Sequence, residues 1–394
     1  MKIALVSPYD WLTPGGVNGH IGQLAEEFAA RGHEVLILAP ASGRVADPRV
    51  RVMGRPISVP ASGSTARIAL NPTLGHQVKR FLEEEHFDVV HVHEPLMPVL
   101  PIHVLRHSKA ANDRVINVGT FHARKDGGNR LYGYGRRLLK RWFRELDGKI
   151  AVSPPAAQYV GEYFPGFYNV IPNGLDIERF ANPLLEPLAE FDDNLINILY
   201  VGRAEKRKGL AYLIRAFGVV NARDPNTRLI IVGPDSRTRR RYEASVRHSG
   251  QRNIVFAPGP SNEQLPRYHR SSHIFCAPAL GNESQGYVIL EAMAAGLPIV
   301  ASNIEGYASV VTHGVDGLLV RPKDTLGLAD ALTLLVRDKS KRDALAEGGR
   351  VRVEDYSWPR VTQQLLSYYD RLLDQHHTWE QARARARLRR LMRA

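Results

Sequence analysis

The stretch TPGGVNGH near the N-terminus sets Gly15 and Gly16 at the entrance of a helix. A glycine-rich turn there lets backbone approach a phosphate, and the helix start adds free N–H groups and a positive dipole end. An ordinary tight turn uses the same residues equally well. Farther on, YVGRAEKRKGL puts Arg203 and Lys208 in a loop just beyond the apolar run Ile196–Val201. Two cations beside a helix start suit a diphosphate and would neutralise charge that grows as a phosphate departs. The competing reading is a solvated basic loop. The third stretch, NESQGYVILEAMAAGLPIVAS, places Glu283 in a loop before Gly286 and Glu291 inside the helix that follows. Carboxylates so placed accept hydrogen bonds from sugar and ribose hydroxyls, while the neighbouring helix start receives phosphate. Ala292, Ala294 and Ala295 shield Glu291, and a shielded carboxylate needs partners.

The elements that must hold these residues are legible as short β-branched runs bounded by polar helical stretches, the signature of strands buried on both faces of a parallel sheet. In the first half these are Lys2–Val6, Glu34–Ala39, Asp88–His93, Val115–Thr120, Lys149–Val152 and Asn169–Ile171, with a helix over Val17–Gly32. The segment 173–194, with Pro183 and Pro187 and no clear period, reads as an interdomain linker. The alternation then restarts. Strands are predicted at Ile196–Val201, Arg228–Val232, Asn253–Phe256, His273–Ala277 and Pro298–Ala301, with helices at Ala211–Arg223, Arg239–Ser249, Glu263–Ser271 and Tyr287–Ala295. Three more helices follow, at Leu326–Arg337, Lys341–Glu354 and Pro359–Leu373. Two successive doubly wound α/β units account for this order.

Composition narrows the partners. The chain has 53 Lys+Arg against 40 Asp+Glu, a net charge of +13, which favours phosphates, anionic lipids or nucleic acid. Nucleic acid is the weakest of these, because no nucleic-acid motif is present and cations do not alternate with exposed aromatics. No run approaches the roughly 20 apolar residues of a membrane span, and the N-terminus reads as a strand rather than a signal peptide, so a cytoplasmic protein is expected. The single cysteine, Cys276, reads as a buried, inert thiol. Two segments are strongly basic. Arg124, Lys125, Arg130, Arg136, Arg137, Lys140, Arg141 and Arg144, interleaved with Leu131, Tyr132, Tyr134, Leu138, Leu139, Trp142 and Phe143, read as a basic amphipathic helix. The tail 374–394 has a basic, thinly amphipathic end. Each is either an ordinary solvated helix face or a contact with an anionic membrane.

Taken together, SPYDWLTPGGVNGHIGQLAEEFAARGHEV, LAPAS, SGSTARI, FDVVHVHEP, GTFHAR, IPNGLDIERF, VGRAEKRKG, ESQGYVILEAMAAG and GVDGLLV resemble family 4 glycosyltransferases, and among these the bacterial phosphatidylinositol mannosyltransferases, up to about Leu373. The resemblance implies an α/β GT-B fold, two Rossmann-like doubly wound domains facing a central cleft. Residues 1–172 would form the acceptor domain, with helix 359–373 packing back on it, and 195–358 the nucleotide-sugar domain. It implies donor contacts from Gly15, Gly16, Arg203, Lys208, Glu283, Ser284, Gln285, Gly286, Tyr287 and Glu291. Arg203 and Lys208 would bind the diphosphate, Glu283 the transferred sugar and Glu291 the ribose, with His122 by the reacting sugar. Tyr9, Ser64, Arg67 and Lys125 would face a phosphoinositol headgroup. The implied reaction retains anomeric configuration, with GDP-mannose the favoured donor, a UDP-sugar the alternative, and an anionic lipid the acceptor at the inner face of the membrane. Two features depart from the family: Gln285 stands where an aromatic Phe is usual, which bears on the fit around the sugar, and the segment after GTFHAR is much more basic than the family leads one to expect.

His91 and His93 alternate in a strand and point to one side, but no third metal ligand is within reach by sequence, and they read as structural or site-lining. There is no D-x-D pair to hold a metal–diphosphate complex. Arg203 and Lys208 can take that role, so no metal is required and Mg2+ is at most an auxiliary ion. Rival readings are weaker. A diacylglycerol or soluble sugar acceptor suits the same fold. A glycosidase built on Glu283 and Asp10 leaves the basic loop without a purpose. A non-hydrolysing sugar-nucleotide epimerase shares the architecture, and an inactive nucleotide-sugar binder would have to retain Gly16, Arg203, Lys208 and Glu283 to no end.

Overall fold

The computed structural model describes residues 1–61, 64–69, 71, 73–124, 127–128, 130–261 and 263–391. The chain forms two compact units: one takes residues up to Ala123, Gly127–Gly174 and the C-terminal segment from Trp358, the other Leu175–Ser357.

The first unit contains β1 (Lys2–Val6), β2 (Glu34–Ala39), β3 (Val50–Val52), β4 (Pro56–Ala61), β5 (Ser64–Ala69), β6 (Val89–His93), β7 (Ile116–Phe121), β8 (Gly148–Ala151) and β9 (Asn169–Val170). Seven of these form a sheet of order β3-β2-β1-β6-β7-β8-β9, parallel throughout. Strand side chains alternate between faces, and each face has its own core. Ala4, Val6, Val90 and Val92 pack with Val78, Leu82, Val104 and Phe143. Ile3, Leu5, Val89 and Ile116 pack with Ile21, Phe28, Val361 and Tyr369. β4 and β5 form a separate antiparallel hairpin.

The second unit contains β10 (Ile196–Val201), β11 (Thr227–Val232), β12 (Ile254–Ala257), β13 (Ile274–Ala277), β14 (Ile299–Ser302) and β15 (Leu318–Val320), in the order β12-β11-β10-β13-β14-β15. This is the doubly wound order whose direction reverses beside the first strand, here between β10 and β13. The same reversal falls between β1 and β6 in the first unit. Ligands of such sheets bind outside the carboxyl ends of the strands at that point, so the loops after β1, β6, β10 and β13 are the places to look for a site.

Several features differ from the sequence reading. Segment 173–194 is no bare linker: Asp176 caps a short helix, Ile177–Ala181, and a 3-10 turn covers Ala189–Phe191. Phe180 and Phe191 are buried in the second unit's core. These anchors are single aromatics among prolines, so they show no period. The β4–β5 hairpin also went unread. The C-terminal helix is longer than predicted, running without a break over Trp358–Leu391, and its first turns lay Trp358, Val361, Leu365, Tyr369 and Leu372 onto the first unit's core. Cys276 is fully buried in β13, and burial pushes its thiol up. Among the described residues no helix is long and apolar enough to cross a membrane.

Candidate active site

In the second unit the loop after β10 folds against the loop after β13. Lys208 Nζ lies 2.8 Å and Arg207 Nη1 2.6 Å from the same Glu283 carboxylate oxygen. Glu205 holds the other side of the cluster, 2.7 Å from Arg207 Nε and 3.0 Å from Arg203 Nη2. The close approach depends on Gly209, whose φ is +73° and whose missing Cβ would sit 1.8 Å from the Pro278 carbonyl oxygen. Arg203, Lys208 and Glu283 are thus brought together. Arg207, which sequence reasoning passed over, joins them, and the KRKG run was its only signal. Exposure separates the cations: the Lys208 side chain is 17% exposed and that of Arg203 66%.

Glu291 lies on the helix Tyr287–Ala294 that Gly286 opens. Burial pushes its carboxyl up to about 7, against the opposing pull of Arg179. Gln285 is buried, at 3% exposure, and Ser284 and Tyr287 are half-buried beside it.

In the first unit the turn after β1 leads into the helix Gly16–Ala30, with Gly15 as an extended N-cap at φ −168°. A Cβ on Gly16 would meet nothing within 4 Å. Neither packing nor backbone therefore requires glycine there, and what the bare backbone provides is open approach from outside. Asn18 fixes the turn by donating to the Asp10 and Thr13 carbonyls while accepting from Ser7 Oγ. Asp10, fully buried, accepts from Thr13 Oγ1, from Ser42 N–H and from Arg67 Nη1 at 3.1 Å. Burial raises the Asp10 carboxyl, but hydrogen bonds from Thr13, Ser42 and the Leu12 N–H outweigh it and the net shift is downward. A bridge between Tyr9 and Ile68 and a bond from Asp10 N–H to the Arg67 carbonyl hold β5 beside the turn. Tyr9 and Arg67 are thereby neighbours. Ser64 begins β5, and Lys125 lies outside the described residues.

His122 follows β7. Its Nε2 is 2.9 Å from His93 Nδ1, and Asn173 bonds its ring. His20, one turn into the first helix, places its ring 5.3 Å from His122 and 5.4 Å from His93. His91 stacks on His93 at 4.4 Å and is held by Thr120 Oγ1 and Tyr369 OH. Spacing along the sequence offers no third ligand for the His91–His93 pair, and the fold gathers a different set: nitrogens of His20, His93 and His122 lie within 4.8 Å of one another. Helix and strands converge there from separate parts of the chain, which spacing along the sequence does not show. The short His93–His122 contact is a hydrogen bond, so a metal would have to displace its proton. Burial lowers all four imidazoles, His122 to about 4 and His91 to about 3, which keeps them neutral at physiological pH.

Glu94 was also missed. It follows His93 in a left-handed conformation, φ 49°, and is 4% exposed. One of its oxygens accepts from the His122 and Ala123 N–H groups at 2.8 and 2.9 Å. Burial pushes this carboxyl up to about 7, against the pull of those two bonds.

Two doubly wound parallel-sheet units, each with polar groups gathered at its switch point, have the architecture of GT-B glycosyltransferases. Residues 14–179 match Glycosyltransferase Family 4, and residues 187–352 match Glycosyl transferases group 1. A phosphatidyl-myo-inositol mannosyltransferase of Mycobacterium leprae is 35% identical over 94% of this chain and 96% of its own. The enzyme of that name from Propionibacterium freudenreichii is 31% identical over 94% of each chain. Among solved structures, a glycosyltransferase of Rickettsia africae superposes with TM-score 0.75 at 20% identity, covering 94% of this chain and 98% of that one. Anabaena HepE, solved with UDP, gives 0.74 at 19% identity, covering 94% and 100%. The chain belongs to glycosyltransferase family 4 and has the GT-B fold.

Proposed function

We propose that this glycosyltransferase moves mannose, with retention of configuration, from GDP-mannose to a phosphoinositol-type lipid at a membrane surface. The observation that carries the donor half is the Lys208–Glu283–Arg207 cluster at the second unit's switch point, beside Arg203. The near-full-length likeness to phosphatidyl-myo-inositol mannosyltransferases supports the acceptor.

The acceptor hydroxyl oxygen bonds to C1 of mannose on the face from which the diphosphate leaves, the C1–O bond to phosphate breaks, and the hydroxyl proton passes to the departing phosphate oxygen. No protein nucleophile takes part. Arg203 and Lys208 stabilise the charge on the leaving diphosphate, and the Gly15–Gly16 turn gives it backbone contact. Glu283 orients the sugar hydroxyls together with its neighbours Ser284 to Tyr287. Glu291 holds the ribose, and neutral His122 lies by the reacting centre. Tyr9, Ser64, Arg67 and Lys125 bind the headgroup. With these cations at the diphosphate no metal is required, and Mg2+ is at most auxiliary. A UDP-sugar donor is the second reading, kept because a buried Gln285 offers the sugar an amide where the family usually has a ring.

Incubated with GDP-mannose and vesicles containing phosphatidylinositol, the enzyme should release GDP only when the lipid is present and yield a lipid one hexose heavier by mass spectrometry. Chelation of divalent ions should leave most of the rate. Acceptor-independent release, or a preference for diacylglycerol or a soluble sugar, would overturn the proposal.

A further inference from the structure

Helix Arg130–Phe143 of the first unit carries more apolar surface than its core uses. Tyr132, Leu139 and Phe143 are buried, packing with Tyr159, Tyr163 and Phe164. A helix docked by that stripe alone is polar elsewhere. Here Leu131, Tyr134 and Leu138, one turn apart, form a second strip alongside it and stand 45%, 92% and 71% exposed. The remaining circumference is basic. Arg136, Arg137, Lys140, Arg141 and Arg144 are all exposed, the helix contains no acid, and none of the five makes an ion pair among the described residues. On other helices of this chain several cations are paired one turn on, as in Lys79–Glu83, Arg80–Glu84, Arg239–Glu243 and Lys339–Asp343. An uncompensated basic arc beside an unburied apolar strip is complementary to a surface that is anionic outside and apolar just beneath.

We infer that this face docks the enzyme on an anionic bilayer. Tyr134 and Leu138 enter the headgroup boundary, and Arg137, Arg141 and Arg144 meet the lipid phosphates. The inference rests on the proposed lipid acceptor for its purpose, and names the surface that reaches it. Arginine-rich helix Ser236–His248 of the second unit is a built-in comparison: Arg240 and Arg241 are exposed there too, but no exposed large apolar residue accompanies them.

The test is co-sedimentation of the full chain with vesicles of phosphatidylcholine alone or mixed with phosphatidylglycerol. Binding should require the anionic lipid and weaken with salt. Arg137→Gln/Arg141→Gln and, separately, Tyr134→Ser/Leu138→Ser should each weaken it about tenfold. Arg240→Gln/Arg241→Gln, with the same loss of charge, should leave it unchanged. All six positions are exposed, so melting temperatures should match the parent, and transfer to a short-chain, water-soluble phosphoinositol should be unaffected. Full binding by both helix variants, equal binding to neutral vesicles, or equal loss in the Arg240/Arg241 variant would overturn the docking face. So would a dimer, seen by light scattering, that Tyr134→Ser/Leu138→Ser splits without altering vesicle binding, since the strip would then join two copies. Should the parent bind vesicles through this helix yet transfer to no phosphoinositol, the acceptor proposal fails and the docking face stands.

Discussion

The cations of the second unit are not interchangeable. Arg207 is fastened at both ends, by Glu205 and Glu283, whereas Arg203 is held by Glu205 alone and remains largely exposed. Arg203→Ala or Lys208→Ala should therefore lower turnover by about 100-fold or more at saturating donor while the melting curve stays near that of the parent; near-normal rates in either would refute their assignment. Glu94 gives a pH-dependent outcome. Its folded pKa, about 7, is raised above the ordinary 4.5, so the protonated form favours folding below that ordinary value, and this stability is lost as pH rises through about 7. Glu94→Gln keeps an oxygen to accept from His122 and Ala123 N–H and removes the ionisation. Its melting temperature should therefore gain on the parent's as pH rises from 5 to about 8, and parallel curves would exclude a buried, ionising Glu94. Residue types exposed the cation loop and Glu283 because those groups lie within short motifs. Glu94 and the histidine cluster stayed hidden because their partners lie 28 or more positions away.

At the scale of elements, strands were legible because both-sided burial writes continuous β-branched runs; helix Leu100–Ala111, with Pro101 and His103 and His107 among its apolar residues, was not, and helix Leu74–Glu85 was passed over although Leu74, Val78 and Leu82 fall at helical spacing. The helix opening at Gly16 makes a sharper case. Alanine fits there without contact and favours the helix by about 0.5–1 kcal/mol, so Gly16→Ala should raise the melting temperature by about 2 °C. If the bare backbone serves a diphosphate, the same methyl should weaken donor binding by an order of magnitude, read by calorimetric titration with GDP-mannose. A variant both more stable and equally tight for donor would return the turn to a structural role.

At the scale of the whole molecule, the chain's C-terminal helix completes a unit whose first strand is at the opposite end of the sequence. Trp358, Val361, Leu365, Tyr369 and Leu372 fill one face of the first sheet. Tyr369 OH reaches the buried His91 at 2.5 Å, and Tyr368 OH accepts from Lys149 N–H at 3.0 Å. Removing large core side chains costs about 2–5 kcal/mol each, so the loss of these five together matches or exceeds the roughly 5–15 kcal/mol that stabilises a domain. A chain ending at Ser357 should therefore lose the first unit while the second, whose cores lie within Leu175–Tyr356, keeps its own cooperative transition. A chain ending at Leu373 retains every one of those contacts and should melt within about 2 °C of the full protein. Scanning calorimetry separates the two: the shorter chain should show only part of the unfolding enthalpy, and the longer nearly all of it. Full enthalpy from the chain ending at Ser357 would mean that the first sheet closes its core without the helix.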